Sequence, residues 1–321
     1  PTFNVPPNRL YGYTTTRGDN GFATIELSTN TGLTALNASG STGWWIRNII
    51  IDCKSLGTSI GINSSGNGLI QNVKVRNCTT AGIRMQFNSG GVVMDTEISG
   101  CSGSGAIDSN VDMLTVWNCY IHDNTTAGLI ARNGTRIVQS IFDTNTGNHV
   151  TYNQGSSGTG IEILNNVFYA SGADAINLNG SAVQQFNLIR GNIIVNNTGW
   201  GIDGSTSAGG PAGPAYDGNA YFNNTAGDRR LMDDTTVNPI NGVGAYVNIY
   251  DVSLSGDPFT NAGAGDFTLN NTVGAGAACK AAGPPTTILG ATGTSLLDKG
   301  VYQSTGTGTG GTNTVGCGIR N

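Results

Sequence analysis

The sequence predicts an all-β solenoid in which short strands coil around one axis and pair in parallel with their equivalents one turn away. Through residues 43–225 a polar residue, usually asparagine, recurs between alternating apolar residues. Successive recurrences lie 21 to 27 residues apart, a period typical of solenoid proteins. No stretch carries the 3.6-residue hydrophobic pattern of an amphipathic helix, so the strands are not joined by helices.

The recurring phrase indicates which residues face the interior. Its polar positions are Asn48, Asn72, Asp95, Asn118, Gln139, Asn166, Asn192 and Asn219. A second apolar position follows in each repeat, at Ile62, Ile83, Ile107, Leu129, Val150, Ile176 and Ile202. Alternation and β-branched residues favour buried strands, whose like residues stack about 4.8 Å apart. Asparagine tolerates a left-handed backbone and can hydrogen-bond along the stack, so we expect these asparagines to form a ladder at a tight corner.

The asparagine ladder, the Gly-Ile steps and the period resemble the right-handed parallel β-helix proteins of the pectate-lyase-like superfamily. The resemblance covers about residues 15–225 and implies a right-handed parallel β-helix. It does not imply one function, because the superfamily includes polysaccharide lyases, glycoside hydrolases, phage tailspikes, adhesins and proteins with no assigned activity.

The chain divides into four parts. Residues 1–42 read as an extended arm and the first irregular coils, and residues 43–225 as the regular β-helix. Residues 226–303 lose the period, and Asp257-Pro258-Phe259 and Gly265-Asp266-Phe267-Thr268-Leu269 resemble the capping module of secreted bacterial and phage-borne β-helix proteins. Residues 304–321 form a Gly/Thr-rich tail, either a disordered end or a strand added to a neighbouring subunit.

Composition indicates an extracellular, cell-surface or virion-surface protein. Fifteen Lys and Arg against 20 Asp and Glu give a net charge of −5, which argues against nucleic acid or an anionic membrane as a partner. No apolar run is long enough to span a membrane. The sequence begins at Pro1, so we expect a processed or trimmed chain. No spacing suggests a metal or another cofactor.

The six cysteines divide into three groups. Cys119 falls in an interior column, as a buried thiol would. Cys78 and Cys101 share one column on successive coils, and they form either a disulfide or a plain thiol stack. A disulfide between Cys279 and Cys317 would hold the C-terminal region together outside the cell.

One outward column becomes apolar in its later part. Its members are Ile50, Lys74, Glu97, Tyr120, Ile141, Phe168, Ile194 and Tyr221. A monomer should not leave the apolar run from Tyr120 to Tyr221 exposed to solvent. Either residues 226–303 pack over it, or it is a lateral subunit interface or a sugar-stacking platform.

Another outward column carries charge. Asp52 lies beside Arg76, and His122 lies beside Asp143, on adjacent coils. The second pair is either an acid–base pair or part of a surface ladder of complementary charges. The acids do not form the calcium-binding cluster of pectate lyases or the three clustered aspartates of polygalacturonases, which the resemblance would otherwise imply.

Three functions remain open. The first, and preferred, is a non-catalytic structural or surface subunit that self-assembles as a filament, sheath or virion fibre. The second is a polysaccharide lyase or glycoside hydrolase. The third is a carbohydrate-binding tailspike or adhesin. We therefore expect other copies of the chain as partners, with polysaccharide as the alternative partner.

Overall fold

The computed structural model describes residues 9–16, 19, 21–28, 32–38, 43–65, 67–86, 90–153, 158–178, 184–185, 187–204, 215–231 and 251–280. Outside these ranges lie residues 1–8 of the N-terminal arm, residues 232–250 and 281–303 of the capping module, and the Gly/Thr-rich tail, which includes Cys317.

The first wall of the solenoid is a nine-stranded parallel sheet with one strand per coil. Its strands are Thr34–Ala38, Ile60–Ser65, Ala81–Gln86, Gly105–Ser109, Leu129–Ala131, Val150–Tyr152, Ile176–Asn177, Trp200–Gly204 and Gly227–Leu231. The predicted second apolar position of the repeat is confirmed as a column of this sheet. Its residues from Ile62 to Ile202 stand opposite one another in every successive strand pair. All seven side chains are fully buried.

The second wall is a seventeen-stranded parallel sheet that bends at a corner within most coils. Its strands are Arg9–Tyr11, Ala23–Glu26, Trp45–Asp52, Leu69–Arg76, Val92–Met94, Glu97–Ser99, Thr115–Trp117, Tyr120–His122, Arg136–Val138, Ile141–Asp143, Glu162–Leu164, Val167–Tyr169, Leu188–Arg190, Ile193–Val195, Ala215–Asp217, Ala220–Phe222 and Val252–Ser253.

A few elements lie outside the two walls. Strand Gly158–Thr159 pairs with Gln184–Gln185, and Phe259–Asn261 forms an antiparallel pair with Asp266–Leu269. In the part of the chain that the structure describes, the helical segments are the 3-10 turn Ala262–Ala264 and the four-residue α-helix Gly276–Cys279. No helix in the described ranges is long and apolar enough to cross a membrane.

The corner of the second wall confirms the first part of the predicted ladder. Asn48, Asn72 and Asn118 have φ angles of 58°, 52° and 52°, the left-handed region that asparagine tolerates. Asn72 Nδ2 donates to Asn48 Oδ1 (2.8 Å), and Asn118 Nδ2 donates to Asp95 Oδ1 (2.8 Å). These amides link neighbouring coils at the outer corner.

The prediction is wrong by one residue for the later coils. There the left-handed corner falls on Asn165, Gly191 and Gly218. Asn166, Asn192 and Asn219 follow the corner and point into the interior. A one-residue slip moves every side chain of a strand to the opposite face. Phe168, Ile194 and Tyr221, predicted to face outward, are therefore fully buried in the core, opposite Phe142 in the interior column.

The three inward asparagines form a ladder of their own inside the solenoid. Asn192 Oδ1 accepts from the backbone N–H (2.9 Å) and the Nδ2 (3.0 Å) of Asn166. Asn192 Nδ2 donates to Asn219 Oδ1 (2.9 Å) and to the carbonyl of Ile163 (3.0 Å). Because all three side chains are buried, these bonds satisfy amide groups that would otherwise be desolvated without a partner.

The outward apolar stripe exists, with a corrected membership. Beyond Tyr120 and Ile141 it continues through Val167, Ile193 and Ala220. Residues of the C-terminal module pack over it, and Phe259, Phe267 and Leu269 contribute the largest side chains. The chain therefore covers its own stripe, which removes the main argument for a lateral subunit interface or an exposed sugar platform there.

Four of the cysteines, at positions 53, 78, 101 and 119, lie buried within the solenoid. Cys119 is fully buried, as predicted. Cys78 and Cys101 follow the left-handed corners at Asn77 and Gly100, and Cys53 joins them on the preceding coil. Cys279 is also buried, and its predicted pairing with Cys317, which lies outside the described residues, stays a prediction.

Candidate functional site

Many charged side chains on the outer surface face an opposite charge one coil away. Six ion pairs join residues that stand directly opposite each other in the strand register. They are Asp52–Arg76, Lys74–Glu97, Arg84–Asp108, Arg136–Glu162, Arg190–Asp217 and Asp203–Arg230. Opposite charges placed directly across a strand pair each stabilise the pairing by about 0.2–1 kcal/mol. These ion pairs therefore link neighbouring coils along the length of the rod.

Asp52 shows how completely one of these carboxylates is used. It accepts from Arg76 Nε (3.0 Å), from Asn77 Nδ2 (3.0 Å) and from the backbone N–H of Lys54 (2.9 Å). Burial disfavours its charged form, but these hydrogen bonds and the two cations outweigh burial and lower the pKa of Asp52. Asp52 and Arg76 therefore clamp two coils together.

The densest group of ionisable side chains surrounds His122. Its Nδ1 lies 2.7 Å from Asp123 Oδ2, and its Nε2 lies 3.5 Å from Glu97 Oε1. Lys74 Nζ lies 2.9 Å from the other oxygen of Glu97. The ring of Tyr120 stacks on the imidazole, with centroids 4.0 Å apart. We refer to Lys74, Glu97, Tyr120, His122, Asp123 and Asp143 as the His122 cluster.

Charge in this cluster is shared between His122 and its acids. Burial alone would lower the pKa of His122, but hydrogen bonds with Glu97 and Asp123 outweigh it and raise that pKa. The hydrogen bond with His122, reinforced by Lys74, lowers the pKa of Glu97 to about 2 despite its burial. At neutral pH Glu97 is therefore ionised, with a lysine and an imidazole beside it.

Asp143 lies in the opposite environment. It is only 7% exposed, and burial raises its pKa against the hydrogen bond that it accepts from the Tyr120 hydroxyl (2.9 Å). Its other oxygen, Oδ1, is buried and has no hydrogen-bond partner among the described atoms. Two carboxyl groups of one cluster are thus biased towards opposite protonation states, the arrangement from which acid and base roles arise.

The cluster lies where the C-terminal module meets the solenoid. Phe267 of the module packs edge-on against Tyr120, with ring centroids 6.4 Å apart. The side chains of Glu97 and His122 keep 21% and 15% of their exposure, and Asp123 keeps 67%. A ligand could therefore reach the cluster from the Asp123 side, whereas Asp143 is largely enclosed.

The structure brings the predicted site residues together only in part. His122 and Asp143 stand opposite each other in the register, as predicted, but His122 hydrogen-bonds with Asp123 whereas Asp143 accepts from Tyr120. The importance of Glu97 and Asp123 was missed, although Glu97 occupies the column beside His122. Within the described residues, no three histidine, cysteine or acidic side chains converge to hold a metal ion.

His149, the second of the two histidines, lies inside the solenoid and was also missed. It packs against Phe142 and Phe168, with ring centroids 6.1 and 6.0 Å away. Burial lowers the pKa of His149 to about 3. Its position directly before the interior residue Val150 was the sequence signal that places it at the start of a buried strand.

Comparison with known proteins agrees with this architecture. The family model described as a right-handed β-helix region matches residues 15–146 and 58–225. A crystal structure of pectate lyase Pel9A superposes with a TM-score of 0.57 at 14% identity, over 88% of this chain and 86% of that one. A Geobacillus virus E2 protein, ORF18, gives a TM-score of 0.37 at 14% identity, over 69% and 47%. No curated protein sequence matches the chain.

Proposed function

Because this chain belongs to the right-handed β-helix family, we propose that it is a non-catalytic structural or surface protein of the extracellular space. The observation that carries the proposal is the set of six ion pairs between directly opposed residues. They place twelve charged side chains between coils, where they reinforce a rod. A filament, sheath or virion fibre requires such a rod.

Self-assembly would use the two ends of the rod. Among the described residues, strands Thr34–Ala38 and Gly227–Leu231 each have a strand neighbour on one side only. An unpaired parallel edge is a template for another strand, and the two ends present different edges. Stacking one copy on the next would continue both sheets, and such a head-to-tail contact propagates as an open filament unless it closes into a ring.

The backbone of the first strand identifies a residue that tests this contact. Ile60 N–H donates to the carbonyl of Leu33 (3.0 Å), so residue 33 faces the neighbouring coil. Since successive residues of a strand direct their backbone groups to opposite sides, the N–H groups of Thr34 and Leu36 face the open edge. Thr34→Pro removes one edge donor without removing a bond to Ile60.

We expect sedimentation velocity to show species that grow with concentration for the native chain. Thr34→Pro should abolish this growth and leave the circular dichroism spectrum unchanged, because its missing N–H lies on the assembly edge. The matched variant Thr34→Ala, which keeps the N–H, should assemble like the native chain. Monomers at every concentration for the native chain, or normal assembly of Thr34→Pro, would contradict end-to-end stacking.

A second candidate function is acid–base cleavage of a polysaccharide at the His122 cluster. The opposed pKa shifts of Glu97 and Asp143, together with the unpartnered Oδ1 of Asp143, favour it. In that case Asp143 would supply a proton and ionised Glu97 or His122 would assist, while Asp123 would lie at the solvent side.

A panel of acidic and neutral polysaccharides, assayed for new reducing ends, separates the two functions. If the cluster is catalytic, Asp143→Asn and His122→Gln should each lower the rate at least ~100-fold, the usual contribution of a general acid or base. Asp52→Asn, in an ion pair away from the cluster, should keep the native rate. The structural proposal expects no cleavage of any member of the panel.

A further inference from the structure

One interior column changes its chemistry along the rod. In the later coils the second wall ends at a second left-handed corner, at residues 123, 144, 170, 196 and 223. The residue that follows this corner is Asn124, Asn145, Ser171, Asn197 or Asn224, and all five are buried. Side-chain amides join several of these coils, as in the bond from Asn197 Nδ2 to Asn224 Oδ1 (2.8 Å). In the first coils the same column holds Cys78 and Cys101, and Cys53 Sγ contacts Cys78 Sγ from the coil before.

Thiols cannot form the strong hydrogen bonds between coils that the asparagine amides form. A thiol is a weak hydrogen-bond donor and acceptor, whereas an asparagine amide offers two donors and a strong acceptor. Cys78 and Cys101 donate to carbonyls of their own strands, at 3.6 Å to Arg76 O and 3.5 Å to Ser99 O. A disulfide would give the first coils the cross-coil bond that asparagine gives the later ones.

The geometry suits one disulfide in particular. Neighbouring parallel strands lie about 4.8 Å apart, within the Cα separation that a disulfide spans. Cys53 and Cys78 are offset by one position, because they follow the opposed pair Asp52 and Arg76 by one and two residues. The Sγ atoms of Cys53 and Cys78 lie 2.7 Å apart, inside van der Waals contact of two sulfur atoms. Gly61 leaves room beside them, since a Cβ there would lie 3.1 Å from Cys78 Sγ.

We propose that Cys53 and Cys78 form a disulfide between the first coils, while Cys101 stays a thiol. Two thiols lose two protons and two electrons as the S–S bond forms. The oxidant is a small-molecule disulfide such as oxidised glutathione, which accepts both electrons and is cleaved to two thiols. Both cysteines are at most 1% exposed, so the bond forms before the coils close around them. The proposal rests on the proposed exterior location only for its source of oxidant in nature.

Refolding the denatured chain in a glutathione redox buffer tests the pairing independently of location or assembly. After alkylation without reduction, trypsin places Cys53 in peptide 48–54 and Cys78 in peptide 77–84. Cys101 and Cys119 fall together in peptide 85–132. We expect mass spectrometry to find peptides 48–54 and 77–84 joined, with both cysteines of 85–132 alkylated.

Two variants sharpen the result. Cys101→Ala should leave the joined peptide unchanged, and Cys53→Ala should abolish it. Alkylation of Cys53 and Cys78 in most molecules, or a main product joining 77–84 to 85–132, would overturn the proposal. Because no step depends on filaments or on a substrate, this outcome is independent of the proposed function.

Discussion

Lowering the pH below 6.5 is expected to destabilise the fold steeply, through His149. The imidazole is fully buried, and burial lowers its pKa from 6.5 to about 3. A group with a depressed folded pKa contributes stability that is present above 6.5 and lost as the pH falls towards about 3. The free energy of unfolding should therefore fall by about 1.4 kcal/mol per pH unit, roughly 4–5 kcal/mol over the window.

The hydrogen bonds of His149 explain why it resists protonation. Asn145 Nδ2 lies 3.0 Å from its Nδ1, and its Nε2 lies 3.0 Å from the carbonyl of Tyr169. An amide nitrogen can only donate, so Nδ1 must accept, and Nε2 must carry the proton. A second proton on Nδ1 would face another donor in a site closed to water.

Denaturant titrations at pH 7, 6, 5 and 4.5 measure this slope before most carboxylates titrate. His149→Gln should flatten it, because the amide can keep both bonds without titrating. His122 has the opposite sign: its raised pKa gives stability that is complete below 6.5 and lost as the pH rises through the folded pKa. His122→Gln should therefore leave the acid slope unchanged. An acid slope that survives His149→Gln would contradict this account.

The second large effect is expected at Asn192. Asn192→Leu keeps the branched shape but removes the four hydrogen bonds that the side chain makes to Asn166, Asn219 and Ile163. The buried groups left without partners each cost about 1–3 kcal/mol. We expect the free energy of unfolding to fall by roughly 3–6 kcal/mol, measured by denaturant titration at neutral pH.

Asn72→Gly is the matched control. Asn72 lies at the outer corner with φ of 52°, a conformation that glycine adopts readily, and its amide donates one bond, to Asn48. We expect a loss of about 1 kcal/mol or less. Equal losses for the two variants would mean that the inner ladder is no more important than the outer one.

The repeat made the coil architecture predictable because it fixes which residues stack. The column from Ile62 to Ile202 was correct throughout, and in four of its seven coils a glycine directly precedes the inward residue. The asparagine ladder was predicted correctly only in part, because asparagine is suited to two different structural roles at neighbouring positions. It adopts a left-handed corner at Asn118 and forms a buried amide stack at Asn192.

The signal that separates these demands is the preceding residue. Asn165-Asn166, Gly191-Asn192 and Gly218-Asn219 each place a residue suited to positive φ before the inward asparagine. Reading the pair rather than the single asparagine assigns Phe168 and Tyr221 to the core. The His122 cluster could be placed by register, but the burial of Asp143 depends on Tyr120 and the C-terminal module, which carries no repeat.

Electron microscopy of the purified chain at low and high concentration tests the proposed structural role most directly. The proposal predicts filaments or ordered arrays at high concentration, with an axial repeat that continues the coil spacing of about 4.8 Å across subunit contacts. Isolated rods or closed oligomers at both concentrations would contradict it, and the His122 cluster would then be the place to look for function.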